Sequence, residues 1–69
     1  MRSEAERREL RAQLGHDLKT PLAVIIGYGE LVASRADEES RLEASRMIVE
    51  AAERLSREID AALDLLLSG

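Results

Sequence analysis

Apolar residues recur every three or four positions along two long stretches of this chain, and one short polar segment separates them. The first stretch covers about residues 3–34, the second about 41–67, and the break lies at 35–40. Apolar residues at this spacing fall on one side of an α-helix. The pattern therefore predicts two long helices. A short connection makes such helices antiparallel neighbours, so the predicted fold is an all-α helical hairpin.

Each predicted helix has one apolar stripe. The stripe of the first helix consists of Leu10, Leu14, Leu18, Leu22, Ile25 and Val32. The stripe of the second helix consists of Ile48, Ala52, Leu55, Ile59, Ala62 and Leu66. One hairpin covers only one flank of each stripe, whereas two hairpins packed as a four-helix bundle cover all of it. We therefore predict a homodimer. The alternative is a monomeric hairpin that other domains of a longer protein stabilise.

The expected ends of the second helix also follow from the sequence. Ser40 and Glu43 have the spacing of a capping box, in which both side chains satisfy free backbone amides at a helix start. Gly69 stands where a helix C-terminus favours glycine. We expect the helix to begin near Ser40 and to end just before Gly69.

The size of the chain supports a single domain, residues 1–69, that needs help to be stable. A core of 69 residues is marginal on its own, and the usual helpers are disulfides, a metal or a partner chain. The chain has no cysteine and one histidine, which excludes disulfides and multi-histidine metal sites. A single aromatic residue also argues against a β-sandwich. Self-association is the helper that remains.

Charge and hydropathy narrow the range of partners. The net charge is −4, whereas nucleic-acid binding requires a basic face. No apolar run approaches the roughly 20 residues that span a bilayer, and the first residues of the sequence lack the pattern of a signal peptide. We expect no nucleic acid, no membrane insertion by this segment and a cytoplasmic location. A membrane anchor elsewhere in a longer protein stays open.

The first helix contains residues that weaken helices. A proline inside a helix, here Pro21, costs about 3 kcal/mol. Gly15, Gly27 and Gly29 each cost roughly 1 kcal/mol relative to alanine. Such violations of local rules gather at functional sites. A packing kink without any chemistry is the alternative interpretation.

The only histidine of the chain lies close to these residues. At about 100° per residue, His16 falls almost opposite the centre of the apolar stripe and faces water. Lys19 and Thr20 follow it at the spacings that share a helix face, and Asp17 follows directly. An imidazole, a carboxylate, an ammonium group and a hydroxyl thus meet beside a proline. Geometry alone leaves a functional site and an ordinary solvated face equally open.

The segment His16-Asp-Leu-Lys-Thr-Pro-Leu22 resembles the H-box of sensor histidine kinases at all seven positions. The family pattern is histidine, an acidic residue, an apolar residue, Arg or Lys, Thr or Asn, Pro, and Leu. Residues 23–31 resemble the continuation of the family's first helix, and residues 52–55 and 59–64 resemble its second helix. By this resemblance the chain is a dimerisation and histidine-phosphotransfer domain.

The resemblance implies a role for each residue of the H-box. His16 is expected to accept the γ-phosphoryl group of ATP on a ring nitrogen, and Asp17 to act as general base. Thr20 is expected to position water when the partner is dephosphorylated, and Lys19 to offset phosphoryl charge. Pro21 is expected to kink or soften the helix. Adjacent side chains on a helix do not face each other, so contact between Asp17 and His16 depends on their rotamers.

The resemblance also implies partners and cofactors. No motif of an ATP-binding domain is present, so ATP comes through a separate catalytic domain. Mg²⁺ belongs to the aspartate site of a response-regulator receiver domain, and this segment binds no metal or cofactor itself. Ala23, Ile26, Gly27 and Glu30 are expected to form much of the surface on which the receiver docks. The alternative is that Ile26 is an isolated exposed apolar residue and the others are ordinary surface positions.

Two other functions are compatible with the sequence. A stand-alone relay protein takes phosphate from one receiver domain and gives it to another. A purely structural dimerisation hairpin has a degenerate catalytic face, and the intact H-box argues against it. The stimulus, the cognate regulator, and phosphorylation within one chain or across the dimer stay open.

Overall fold

The computed structural model describes residues 3–34 and 37–68. They form two α-helices, α1 at Glu4–Ser34 and α2 at Glu38–Ser68, and these residues contain no strand. The all-α helical hairpin predicted from the sequence is confirmed. Neither helix, over its described residues, has a stretch long and apolar enough to cross a membrane.

The second helix begins earlier than predicted, because Asp37 is its N-cap. The backbone N–H of Ser40 donates to the Asp37 carboxylate at 2.9 Å, and the N–H of Arg41 donates to the Asp37 carbonyl at 3.2 Å. Ser40 therefore lies in the first helical turn, and the predicted capping box of Ser40 and Glu43 is wrong. Aspartate caps helices as well as serine does, and Glu38 and Glu39 favour the positive end of the helix dipole.

The remaining expectations about helix ends have different outcomes. The predicted loop at 35–40 is wrong for residues 38–40, which are helical. Residues 35 and 36, and the expected helix end at Gly69, lie outside the described residues. At the start of α1, the Glu6 N–H donates to Ser3 Oγ at 3.2 Å, and Ser3 Oγ donates to the Glu6 carboxylate at 3.1 Å. This pair is the capping interaction that the sequence analysis missed.

The two helices pack antiparallel along their length. Leu66, near the end of α2, lies beside Leu10 and Leu14, near the start of α1. In the middle of the hairpin, Pro21 shares a groove with Met47 and Ala51. The start of one helix therefore lies beside the end of the other.

The core of a single chain is small. Among the described residues Pro21 is fully buried, and the buried apolar side chains are otherwise alanines, Ala44, Ala51 and Ala62. Several large apolar side chains remain exposed, among them Leu63 at 51% and Leu66 at 66%. One hairpin therefore covers its small residues and leaves many of its large ones in water.

Two parallel rows of residues explain this distribution. The hairpin seam, where α1 and α2 meet, consists of Leu14, Asp17, Pro21, Val24, Tyr28 and Leu31 in α1 and Ala44, Ile48, Ala51, Leu55, Glu58, Ala62 and Leu65 in α2, all buried or half-buried. The outer seam consists of Gly15, Leu18, Leu22, Ile25, Gly29 and Val32 in α1 and Leu42, Ser45, Val49, Ala52, Ser56, Ile59, Leu63 and Leu66 in α2. Both seams alternate spacings of three and four residues, which is the pattern of helix-to-helix packing.

The sequence analysis merged these two seams into one stripe per helix. Leu14 and Leu55, for example, belong to the hairpin seam, whereas Leu22 and Ile59 belong to the outer seam and remain 43% and 42% exposed. Ala62 was predicted in the apolar stripe and is buried, whereas Pro21, Ala44 and Ala51 were not predicted as core. Apolar spacing alone does not separate two adjacent seams, because both lie within one broad apolar face.

The surface area shows how much of the molecule is uncovered. The chain exposes 5611 Å². A compact monomer of 7.6 kDa is expected to expose about 4300 Å². The difference, roughly 1300 Å², is close to what one subunit of an obligate dimer buries. An isolated hairpin therefore lacks the cover of a complete globular domain.

Candidate functional site

His16 lies on the side of α1 that faces away from both seams. At about 100° per residue, it is rotated roughly 110° from the hairpin seam and roughly 150° from the outer seam. Its side chain is exposed, as the sequence predicts, and makes no hydrogen bond within the described part of the chain. The ring nitrogens are thus open to a reactant from solution.

The side chain of Asp17 lies on a different side of α1 from that of His16. It lies in the hairpin seam, one turn before Pro21, and is half-buried. Its Oδ1 accepts a hydrogen bond of 3.0 Å from Gln13 Nε2. No hydrogen bond joins Asp17 to His16 in the described residues, so the role of Asp17 as general base stays a prediction.

Thr20 and Pro21 alter the backbone around His16. The Thr20 hydroxyl donates to the His16 carbonyl oxygen at 3.0 Å. Pro21 has no N–H and leaves the Asp17 carbonyl without its usual helical donor. The helix nevertheless continues from Glu4 to Ser34 without interruption. Two consecutive backbone carbonyls therefore have altered hydrogen bonding. The His16 carbonyl has an additional donor, and the Asp17 carbonyl lacks its helical donor.

The other predicted residues share the surface with His16, and we call this surface the His16 face. Its members are His16, Lys19, Thr20, Ala23, Ile26, Gly27 and Glu30, and all are exposed. Ile26, at the edge of the face, is 54% exposed. A methyl group built on Gly27 meets nothing within 4 Å, so packing within the chain does not explain that glycine. The structure brings these residues together, and their roles stay predictions.

Two features near the site were missed from the sequence. The contact of Gln13 with Asp17 was one, although the spacing of four residues was a visible signal. The other is a groove of about 190 Å³ between the helices, lined by Pro21, Val24, Met47, Glu50, Ala51 and Arg54. Only the packing of α1 on α2 creates that groove. Within residues 3–34 and 37–68, no three His, Cys, Asp or Glu side chains form a cluster that suits a metal ion.

The described residues thus form an antiparallel helical hairpin with one exposed histidine in its first helix. The family model of the His kinase A (phospho-acceptor) domain matches residues 6–66. The chain belongs to this family, as its H-box indicates. No curated protein and no solved structure matches the chain. Domains of this family serve phosphoacceptor and dimerisation roles in histidine kinases.

Proposed function

We propose that the chain is the dimerisation and phosphoacceptor domain of a sensor histidine kinase, with His16 as the residue that carries phosphate. One observation carries this proposal. The family accepts phosphate on histidine, and His16 is the only histidine among the 69 residues. It lies inside the matched segment, and its side chain is exposed.

The proposed reaction is attack by a ring nitrogen of neutral His16 on the γ-phosphorus of ATP. The N–P bond forms while the bond to the bridging oxygen breaks, and the electron pair leaves with ADP. The imidazole proton passes to the Asp17 carboxylate as the N–P bond forms. ATP and its Mg²⁺ come through a separate catalytic domain, and this chain supplies the acceptor. Lys19 offsets phosphoryl charge on the His16 face.

We propose that the phosphoryl group then passes to an aspartate of a response-regulator receiver domain. Ala23, Ile26, Gly27 and Glu30 lie toward the hairpin end of the His16 face and form the docking surface. The open space over Gly27 lets a partner backbone approach α1 closely. Mg²⁺ for this step belongs to the receiver.

The same site supports phosphatase activity toward the regulator, with Thr20 positioning the attacking water. In this structure the Thr20 hydroxyl donates to the His16 carbonyl. In this rotamer the hydroxyl oxygen can still accept a hydrogen bond from water. Donating to the water instead requires rotation of the hydroxyl away from the His16 carbonyl, and releasing that bond costs about 1 kcal/mol. Rotation of Thr20 is small compared with a rearrangement of the helix.

We infer that a second copy of the chain covers the outer seam and completes a four-helix bundle. The support is the three-and-four spacing of the seam, together with the roughly 1300 Å² that a compact monomer would not expose. The His16 face is separate from the outer seam. Dimerisation therefore leaves His16 accessible to both partners.

The test adds an ATP-binding domain from another protein, because the proposed reaction requires one. The chain is mixed with labelled ATP and the ATP-binding domain of a related sensor kinase, whose activity is first shown on its own phosphoacceptor domain. Wild type acquires acid-labile, alkali-stable label, and His16→Gln acquires none. Both proteins sediment as dimers, because His16 lies outside both seams. A folded, dimeric wild type without label favours a relay or a structural hairpin.

A further inference from the structure

Residues 3–34 contain two hydrogen bonds between side chains. One joins Ser3 and Glu6 and caps the first turn. The other joins Gln13 Nε2 to Asp17 Oδ1 at 3.0 Å, and Asp17 directly follows His16 in the sequence. The H-box does not include Gln13, which precedes it by three positions. Its partner is nevertheless the residue to which the proposed reaction assigns proton removal.

We propose that Gln13 is a positioning residue that orients the Asp17 carboxylate toward the His16 ring. This inference rests on the proposed function of His16 and Asp17. Side chains four residues apart on a helix lie on the same face, so Gln13 can hold Asp17 without distorting the backbone. Asp17 and His16 are adjacent in sequence and point in different directions. The carboxylate therefore needs a defined rotamer to reach the imidazole.

The hydrogen-bonding capacity of the carboxylate allows both contacts. Each carboxylate oxygen accepts about two hydrogen bonds. Gln13 occupies one position on Oδ1, which leaves Oδ2 available for the imidazole N–H. When Gln13 is absent, the carboxylate gains rotational freedom and spends less time in the reactive orientation. Gln13 itself exchanges no proton and touches neither ATP nor the phosphoryl group.

This role affects one step of the reaction. Proton removal accompanies formation of the N–P bond, so loss of Gln13 lowers the maximal rate of His16 phosphorylation and leaves KM for ATP unchanged. The alternative is that Gln13 and Asp17 form an ordinary stabilising pair on a helix surface. That alternative predicts a change in thermal stability and no loss of rate that depends on Asp17.

The test compares Gln13→Leu, which removes the donor at similar size, with Gln13→Lys, which keeps a donor. The matched control is Ala5→Leu, at an exposed position three turns before His16. We expect Gln13→Leu to lower the maximal phosphorylation rate about two- to twelvefold, the range for losing one hydrogen bond. Gln13→Lys retains more of the rate than Gln13→Leu, and Ala5→Leu retains a rate near that of wild type. In an Asp17→Ala background, Gln13→Leu causes no further loss.

Three results overturn the positioning role. The first is that Gln13→Leu is phosphorylated at the same rate as the wild-type protein, in an assay in which the wild-type protein is labelled on His16. A second is an equal loss of rate when Gln13→Leu is added to Asp17→Ala. The third is a change confined to KM. Failure of the proposed function has a different signature, because wild type then acquires no label even when NMR detects the Gln13 side-chain amide bonded to Asp17.

Discussion

The two helices have the same length, 31 residues each, and meet along one seam, yet their compositions differ. Between Glu4 and Ser34, α1 contains Pro21 and three glycines. Between Glu38 and Ser68, α2 contains neither glycine nor proline. The irregular residues of α1 span 15–29, which is also where most of the His16 face lies. Unfavourable local sequence and candidate chemistry thus occupy the same segment.

The energy involved in this difference is large for so small a domain. One internal proline and three internal glycines together weaken a helix by about 6 kcal/mol relative to alanine. Whole domains are stable by only about 5–15 kcal/mol. None of the three glycines has an atom within 4 Å of an added methyl group, so the hairpin itself does not require them. We interpret α1 as the helix that carries the chemistry and α2 as the regular helix that supports it.

The largest expected effect tests the role of α2 in assembly. Ile59→Glu places a carboxylate in the outer seam of both subunits, where it has no partner. Burying unpaired charge costs several kcal/mol, so we expect the dimer dissociation constant to rise at least about 100-fold. Ala61→Glu introduces the same residue on the exposed side of α2 and leaves dimerisation unchanged. Sedimentation equilibrium measures the dimer dissociation constant of each variant. Equal constants for the two variants contradict a dimer formed through the outer seam.

A smaller effect is expected from Pro21→Ala, which tests the cost of the irregularity in α1. Removing the proline restores a backbone donor and relieves a clash, worth about 3 kcal/mol. The substitution also removes about two buried methylene groups and gives the unfolded chain more conformational freedom. Together these losses offset about 2 kcal/mol of that gain. We expect the free energy of unfolding to rise by about 1 kcal/mol in urea titrations. A clear loss of stability means that packing of the ring against α2 outweighs the helical penalty.

The smallest effect compares two glycines of α1. Gly27→Ala adds a methyl group on the His16 face and raises the free energy of unfolding by no more than about 1 kcal/mol through helix propensity. It also slows phosphoryl transfer to a receiver domain that docks there. Gly29→Ala places the same methyl group in the outer seam, where overpacking of the dimer cancels the gain. Thermal unfolding of the dimers measures both effects. If the two variants are stabilised equally, Gly29 does not lie in the dimer interface.

Much of the candidate site was predictable because its signals are local. The exposure of His16 follows from the helical period, since apolar neighbours fix which side of α1 turns inward. The H-box fixes residue types at seven positions and indicates the family that the match over residues 6–66 shows. The contact of Gln13 with Asp17 was not predicted, because a helix surface offers many pairs at this spacing and rotamers decide which of them form.

The sequence by itself determined that this chain forms two long helices, which face of the first carries its only histidine, and which family it belongs to. Those properties depend on spacing and residue type within a few turns. Tertiary structure decided that Pro21 and three alanines fill the hairpin seam and that larger side chains such as Leu63 and Leu66 stay exposed. The reason is that one broad apolar face contains two adjacent seams. Only the packing of α1 on α2 selects the seam that the chain covers itself, and thereby leaves the α2 side of the other seam exposed.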